Sequence, residues 1–150
     1  MTIELLKQMM DACYQAKRIR DMLPPLPKGV TSSHIQYLDM IETLQAQGIQ
    51  VKISDISDKL GLPRPGITRT VKEMEQKGYL KKITSSEDAR VTYLTLTDSG
   101  KQLSQKYNQQ CFEILSSYMA DIPESDIQCT IRTIEHFYDI MCERRIYLDK

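Results

Sequence analysis

The chain has 150 residues, 41% of them hydrophobic and 27% charged, and its twenty basic and twenty acidic side chains give a formal net charge of zero. This length suits one domain, the composition is that of a soluble globular protein, and the apolar runs are too short to cross a bilayer. The first twenty residues carry charges throughout, which argues against a signal peptide and predicts a cytoplasmic protein without a membrane partner.

The first half of the chain predicts four helices. Apolar spacing and helix-stop residues place them over residues 3–23, 32–46, 55–60 and 64–77, with a proline-rich connector over 24–29 and a short strand over 51–53. Ser32 or Ser33 is the expected N-cap of the second helix and Ser54 that of the third. Gly61 and Gly78 are expected to end the third and fourth helices.

The second half predicts a hairpin followed by two helices. Strands over 80–84 and 91–96 flank a short polar turn. Thr97 is the expected cap of a long helix reaching Met119, and Asp121, with Glu124 three residues later, is expected to open the last one. This order predicts a mainly α fold with a small β-wing, in the α+β class.

The helices at the two ends carry apolar stripes. The stripes fall on Ile127, Ile131, Ile134, Tyr138, Met141 and Leu148 in the last helix and on Leu103, Tyr107, Cys111, Ile114 and Tyr118 in the one before. They either pack against the chain's own core or form a helical dimer interface. The dimer is favoured because the helices at both ends of the chain have apolar faces that must be buried, while the middle of the chain can form a small core of its own.

Residues 54–78 have the form of a helix-turn-helix, with Leu62 expected to fill the turn. On the second helix Ile67, Val71 and Met74 share one face, which predicts burial. The opposite face carries Arg69, Lys72 and Gln76, flanked by Thr68. These side chains supply the groups that base edges and phosphates require, although on an isolated helix they could equally be a solvated face.

The hairpin that follows makes this a winged helix. Residues 52–101 hold ten basic and seven acidic side chains, so the middle of the chain is basic relative to its flanks. A wing-tip arginine, Arg90, can enter the minor groove of a duplex, whose electronegative floor attracts guanidinium. Asp88, two residues earlier, can accept a hydrogen bond from it and hold it extended.

At this point the sequence resembles the MarR family of transcription regulators. The motifs are Leu60-Gly61-Leu62, Ile67-Thr68-Arg69, Gln76-Lys77-Gly78-Tyr79-Leu80, Asp88-Ala89-Arg90 and Leu96-Thr97-Asp98-Ser99-Gly100. The resemblance covers about residues 54–101. It implies a homodimer in which the first helix and the last two interdigitate, with one winged helix per subunit reading half of a palindromic DNA operator.

The resemblance also suggests roles for particular residues. Thr68 and Arg69 match base-reading and phosphate-contacting positions, and Arg90 matches the wing-tip arginine with Asp88 as its support. Lys72 is added to these DNA-contacting candidates because helix geometry, not the resemblance, places it on the same exposed face. The family often binds a small phenolic or other lipophilic effector. For such a ligand we consider a pocket between the first two helices and the winged helix, with candidates Tyr14, His34, Tyr37 and Met40.

Three departures from the family pattern bear on affinity. The recognition helix opens with Pro63-Arg64-Pro65-Gly66 where Ser-Pro-Ser-Thr is common, so Gly66 offers no side chain to a base and Arg64 is the candidate for a contact there. Glu87 and Ala89 make the wing less basic than usual. Val91 stands where a second arginine is common.

Other kinds of site find little support in the sequence. The only two histidines, His34 and His136, have no ligand-spaced cysteines nearby, so no metal and no cofactor are predicted. No spacing suggests a nucleophile, and no enzyme is predicted. Cys13, followed by Tyr14, stands where some members of the family sense peroxide, but it also lies on an apolar stripe, where cysteine behaves as a small hydrophobe.

The sequence therefore predicts a homodimeric DNA-binding transcription repressor. Residues 32–101 would form the winged helix-turn-helix, and residues 1–31 and 102–150 the dimerisation region of the same single-chain unit. Two alternatives remain: a winged helix used for protein–protein assembly without DNA, and a redox-sensing regulator that uses Cys13.

Overall fold

The computed structural model describes residues 1–144, 146 and 147 and shows seven α-helices and one two-stranded antiparallel sheet in that part of the chain. The helices are α1 (Ile3–Asp21), α2 (Ser32–Ala46), α3 (Ile53–Leu60), α4 (Arg64–Gln76), α5 (Asp98–Ser104), α6 (Cys111–Tyr118) and α7 (Glu124–Glu143), and the strands are β1 (Leu80–Thr84) and β2 (Thr92–Leu96). The predicted fold class, mainly helical with a small β-wing, is confirmed.

Two compact units divide the chain, residues 1–111 and residues 112–150. The core of the first unit is formed by α2 to α5 and the sheet. Its fully buried side chains include Leu38 and Ile41 on α2, Ile56 on α3, Met74 on α4 and Leu94 on β2. This core fixes the orientation of α3, α4 and the wing.

The second unit contains α6 and α7, and neither helix contains a buried residue. The apolar stripe of α7 is exposed as far as the described residues reach, from Ile127 (42%) to Tyr138 (69%) and Met141 (39%). Leu148 lies outside the described residues. On the preceding stripe Leu103 is buried in the first unit, whereas Tyr118 is 77% exposed.

Several helix starts differ from the prediction. Thr31, not Ser32 or Ser33, caps α2, because its hydroxyl accepts from the His34 N–H while the His34 Nδ1 accepts from the Thr31 N–H. Asp55 stabilises the start of α3 by accepting from the Lys52 N–H at 2.7 Å, so Ser54 lies inside the helix.

The end of the chain also departs from the prediction at two points. Pro123, not Asp121, is the residue immediately before α7. Proline fits the start of a helix because its φ is fixed near the helical value and because it has no N–H that would lack a partner there. Between α5 and α6 the helix runs through a π-helical segment, Gln105–Gln110. There Asn108 donates to the Ile35 carbonyl at 3.1 Å, which ties the segment to α2.

The predicted strand over 51–53 is wrong. Ile53 is the first residue of α3, and Val51 makes a single strand-like bond, accepting from the Leu94 N–H of β2 at 2.7 Å. One bond with a neighbouring strand is too little for a regular ladder. It nevertheless anchors the outer edge of the wing to the body of the unit.

No helix among the described residues is long and apolar enough to cross a membrane.

Candidate nucleic-acid interface

The turn between α3 and α4 positions the second helix of the pair. Gly61 has φ of +61°, the left-handed conformation that glycine adopts without cost, and this ends α3 as predicted. Leu62 does not fill the turn, since half of it is exposed. The Ser57 hydroxyl holds the turn instead by donating to the Leu62 carbonyl at 2.6 Å.

The two faces of α4 are those that the sequence predicts. Ile67, Val71 and Met74 are at most 1% exposed, because they pack into the core of the unit. Thr68, Arg69, Lys72 and Gln76 are exposed, and Arg64 is exposed at the start of the helix. Within the described part of the chain, no hydrogen bond or ion pair engages the side chains of Arg64, Arg69 or Lys72. These three cations are available to an anionic partner.

The threonine hydroxyls of α4 bond to their own helix. Thr68 Oγ1 donates to the Arg64 carbonyl at 2.9 Å, and Thr70 Oγ1 donates to the Gly66 carbonyl at 3.2 Å. A hydroxyl has a single proton, so in this rotamer the Thr68 side chain can accept from a ligand but cannot donate to it. The sequence could not reveal this, because the choice of rotamer depends on the folded helix.

The wing is a regular hairpin from its root to its tip. β1 and β2 pair from Leu80↔Leu96 to Thr84↔Thr92. At the tip the Ser85 N–H donates to the Val91 carbonyl and the Val91 N–H donates to the Asp88 carbonyl, both at 2.9 Å. These bonds close the turn that contains Arg90.

Asp88 braces Arg90 as the sequence suggests. Its Oδ1 accepts from the Arg90 N–H at 2.9 Å and from Nε at 3.1 Å, and its Oδ2 accepts from Nη2 at 3.1 Å. These bonds hold the pKa of the Asp88 carboxyl below its usual value, so the pair is ionised at neutral pH. The Arg90 side chain is nevertheless 90% exposed, which leaves its outer edge free for a partner.

Two contacts near this surface were not found from the sequence. Lys82 of β1 donates to Glu75 of α4 at 2.7 Å and so links the wing to the exposed helix. Lys52 places its Nζ 5.7 Å from the centre of the Tyr93 ring of β2, a cation–π contact. The partners in these contacts are seven and forty-one positions apart and form no local sequence pattern. The two contacts are therefore visible only in the folded chain.

The four effector candidates have unlike surroundings. His34 and Tyr37 are 2% and 4% exposed and belong to the packed interior, Met40 is half-buried and Tyr14 is 65% exposed. An open cleft of about 520 Å³ lies elsewhere, and it is lined by Glu42, Lys101, Gln102, Gln105, Lys106 and Gln110. The effector site thus stays a prediction.

Among the described residues no group of three or more His, Cys, Asp or Glu side chains is arranged to hold a metal ion. Cys13 is half-buried on α1.

Comparison with known proteins finds one family model that matches part of the chain. Residues 28–91 match the model of the MarR family. The HTH-type transcriptional regulator PrsX of Escherichia coli is 31% identical over 93 residues, which are 61% of this chain and 56% of PrsX. The chain thus spans little more than half the length of the curated relatives it matches. These relatives are named as regulators, in agreement with the prediction that the chain is not an enzyme.

Solved structures of other regulators share the fold. FabT of Streptococcus pneumoniae, solved in complex with DNA, has a TM-score of 0.69 at 16% identity, over 95% of this chain and 99% of FabT. PcaV of Streptomyces coelicolor, solved with its natural ligand, has a TM-score of 0.61 at 20% identity, over 90% of this chain and 89% of PcaV. At these identities the likeness establishes the winged-helix fold.

The geometry explains the last of the motifs that resemble the MarR family, Leu96 to Gly100. Thr97 caps α5 by accepting from the Gly100 N–H, while its own hydroxyl donates to the Gly78 carbonyl. Gly100 lies against the Tyr79 carbonyl so closely that a Cβ there would overlap the oxygen. The motif therefore fixes the root of the wing between the end of α4 and the start of α5.

Proposed function

We propose that this protein is a cytoplasmic transcription repressor that binds a palindromic DNA operator as a homodimer. The braced wing-tip arginine carries the proposal. Arg90 is held by Asp88 through both side-chain and backbone bonds and yet remains 90% exposed. A protein that did not use this guanidinium would gain little from fixing it, because an exposed ion pair adds at most about 1 kcal/mol to stability.

The cationic groups lie where a duplex would meet them. In a winged helix, α4 enters the major groove and the wing lies over the adjacent minor groove. Arg69 and Lys72 would then contact bases and phosphates from α4 while Arg90 fills the minor groove, and Arg64 approaches the backbone at the start of the helix. Thr68 can accept a hydrogen bond from a base.

A second copy of the chain would cover the terminal helices. Several apolar residues of α1 are exposed, among them Leu6 (41%) and Met10 (51%), as are Ile131 (50%) and Ile134 (43%) of α7. In a two-fold dimer the two α4 helices would stand about 34–36 Å apart, one turn of DNA, which matches the symmetry of a palindrome.

A small lipophilic or phenolic effector would modulate DNA affinity. This part of the proposal draws on PcaV, which was solved with its natural ligand. Tyr14 and Met40 are the accessible members of the predicted set, and the buried His34 and Tyr37 would have to be uncovered by a change in the packing of α2. A thermal-shift screen with phenolic carboxylates tests whether such a ligand binds.

The wing supplies the experiment for DNA binding. Operator fragments selected from genomic DNA would be titrated with wild type, Arg90→Ala and Asp88→Ala. Arg90→Ala should weaken binding about 10- to 100-fold, since it removes a specific groove contact worth about 1–3 kcal/mol. Asp88→Ala should cost less, because the guanidinium remains but is no longer held.

Arg90→Lys is the matched control, because it keeps the charge but loses the planar fork. It should retain the salt dependence of wild type and lose affinity nonetheless. Wild-type affinity in Arg90→Ala would contradict the wing assignment. If the wild-type dimer shifts no DNA even at low salt, the alternative of a protein–protein assembly module is favoured instead.

Redox control through Cys13 stays a separate proposal, and operator binding that peroxide treatment leaves unaltered would exclude it.

A further inference from the structure

The start of α4 offers a partner an apolar surface. Pro63 and Pro65 have no N–H, Gly66 has no side chain, and all three are exposed. Leu62, immediately before them, is half exposed where the sequence predicted a buried plug of the turn. Arg64 is the single side chain from residue 62 to residue 66 that can donate a hydrogen bond.

The Thr68 side chain extends this surface by one turn. Its hydroxyl proton is committed to the Arg64 carbonyl at 2.9 Å. A threonine whose Oγ1 turns back onto the helix carries its methyl group on the outer side, and Thr68 is exposed. The exposed Thr68 side chain therefore offers a ligand a methyl group and an acceptor oxygen but no free donor.

Gly66 leaves open space in the same surface, beside its own backbone, and this space is called the recess below. A Cβ built at this position meets no atom within 4 Å, so the space beside the backbone is open. Flanked by Pro65 and one turn before Thr70, the recess allows a small group on a partner to approach the helix backbone.

The chemistry of the major groove identifies the group that suits this surface. The residues at the start of a recognition helix contact base edges. Guanine, cytosine and adenine present only donors and acceptors in the major groove, whereas thymine also presents its C5 methyl group. An apolar, recessed helix start leaves the polar edges without partners, but it can bury a methyl group.

We propose that the start of α4 selects thymine by contact with its C5 methyl group, through Leu62, Pro65 and the Thr68 methyl, with Gly66 providing the room. Hydrogen-bonded readout is left to Arg69 and Gln76 further along the helix. This inference rests on the proposed DNA-binding function and names the base chemistry that its recognition helix selects.

The test begins with selection of duplexes from a random-sequence library by the full-length protein. Each thymine in the enriched half-site is then replaced by deoxyuridine, which removes the methyl group and keeps every base-pairing group. At one or two positions the Kd should rise about fourfold per methyl group, the effect of burying one such group. If no thymine responds, the inference is overturned while DNA binding stands; if no sequence is enriched, the proposed function itself fails.

Two variants of one residue separate methyl from hydroxyl recognition. Thr68→Ser removes the methyl group and keeps the hydroxyl, and it should reduce the ratio of deoxyuridine to thymidine Kd values at the sensitive position. Thr68→Val keeps a methyl group and removes the hydroxyl, and it should retain the ratio. The opposite outcome, with Thr68→Val losing the preference and Thr68→Ser keeping it, would show hydrogen-bonded readout and refute the inference.

Leu62→Ala and Gly66→Ser probe the remainder of the surface. Both positions are exposed, so both variants should fold and melt within a few degrees of wild type. Gly66→Ser fills the recess with a hydroxyl and should change the preferred base. A deoxyuridine effect that survives unaltered in Leu62→Ala, Gly66→Ser and Thr68→Ser alike would place thymine recognition elsewhere in the protein.

Discussion

The winged helix-turn-helix and the terminal helices use similar apolar spacing with opposite results. On α4, Ile67, Val71 and Met74 are at most 1% exposed. On α7, Ile131 and Ile134 follow comparable spacing and are 50% and 43% exposed. Periodicity therefore shows that a helix has an apolar face but not whether the same chain covers it. The middle of this chain closes its own core, whereas the apolar face of α7 is left exposed.

The largest effect expected in the winged helix is at Gly100. Gly100→Ala would drive a Cβ into the Tyr79 carbonyl, which also accepts from the Thr97 N–H at 3.1 Å. We expect a loss of about 3 kcal/mol or more in the free energy of unfolding, since backbone atoms cannot yield as side chains do.

Gly66→Ala is the control for this prediction, because a Cβ there meets no atom within 4 Å. It should stabilise α4 by about 1 kcal/mol. Urea denaturation followed by circular dichroism measures both variants. Equal midpoints would mean that the root of the wing is not as tightly packed as the geometry shows.

The terminal helices should respond in assembly rather than in folding. Replacing both Ile131 and Ile134 by Asp removes apolar burial worth about 1.5–3 kcal/mol per side chain from a dimer interface and adds charge to it. The dimer dissociation constant should rise at least a hundredfold, while the winged helix keeps its own melting transition.

Sedimentation velocity and calorimetry separate these two properties. Gln128→Asp, an exposed polar position on the same helix, is the control and should leave the dimer intact. A double-Asp variant that remains a dimer would show that α7 is not the interface. Loss of the winged-helix transition as well would show that the two regions are not independent.

The smallest effect expected is a dependence of stability on pH that originates in the winged helix. Burial lowers the pKa of His34 below 6.5, and the nearby Glu73 carboxylate, 3.7 Å from Nε2, only partly offsets this effect. Lys77 also disfavours the charged form. The unfolded chain therefore binds the proton more tightly, so stability is fully present above about pH 6.5 and is lost as the pH falls toward the folded pKa.

Replacing His34 by Gln should remove this dependence between pH 7 and pH 5.5, at a cost of about 1–3 kcal/mol from the lost contact of the buried imidazole with Glu73. His136 lies exposed on α7, and His136→Gln should keep the wild-type slope. Melting temperatures across this range give the result. A slope that persists in His34→Gln would assign it to other groups.

Local features were predictable from the sequence because their causes lie within a few residues. The positive φ values of Gly61 and Gly78 and the hairpin between β1 and β2 follow from turn chemistry. The bracing of Arg90 by Asp88 spans two positions. Among the predicted DNA-contacting residues the exposed ones on α4 could be found in the same way, from helical periodicity alone.

Predictions failed where a competing local or distant partner decided the outcome. Ser54 is a good cap by type, but α3 already begins at Ile53, where Asp55 accepts from the Lys52 N–H. Val51 was expected in a strand, yet its only ladder-like bond comes from Leu94, forty-three positions away. Leu62 is apolar and was expected inside, but the Ser57 hydroxyl holds the turn and leaves it half exposed.

The sequence by itself determined the winged-helix class, the two faces of α4 and the pairing of Asp88 with Arg90, since each depends on spacing along the chain. Tertiary structure alone decided the remaining geometry: the Glu75–Lys82 link, the contact of Gly100 with Tyr79, and the burial of His34 against Glu73. These contacts join residues that share no helix or strand, and only the packing of α2, α4, α5 and the sheet brings them within contact distance.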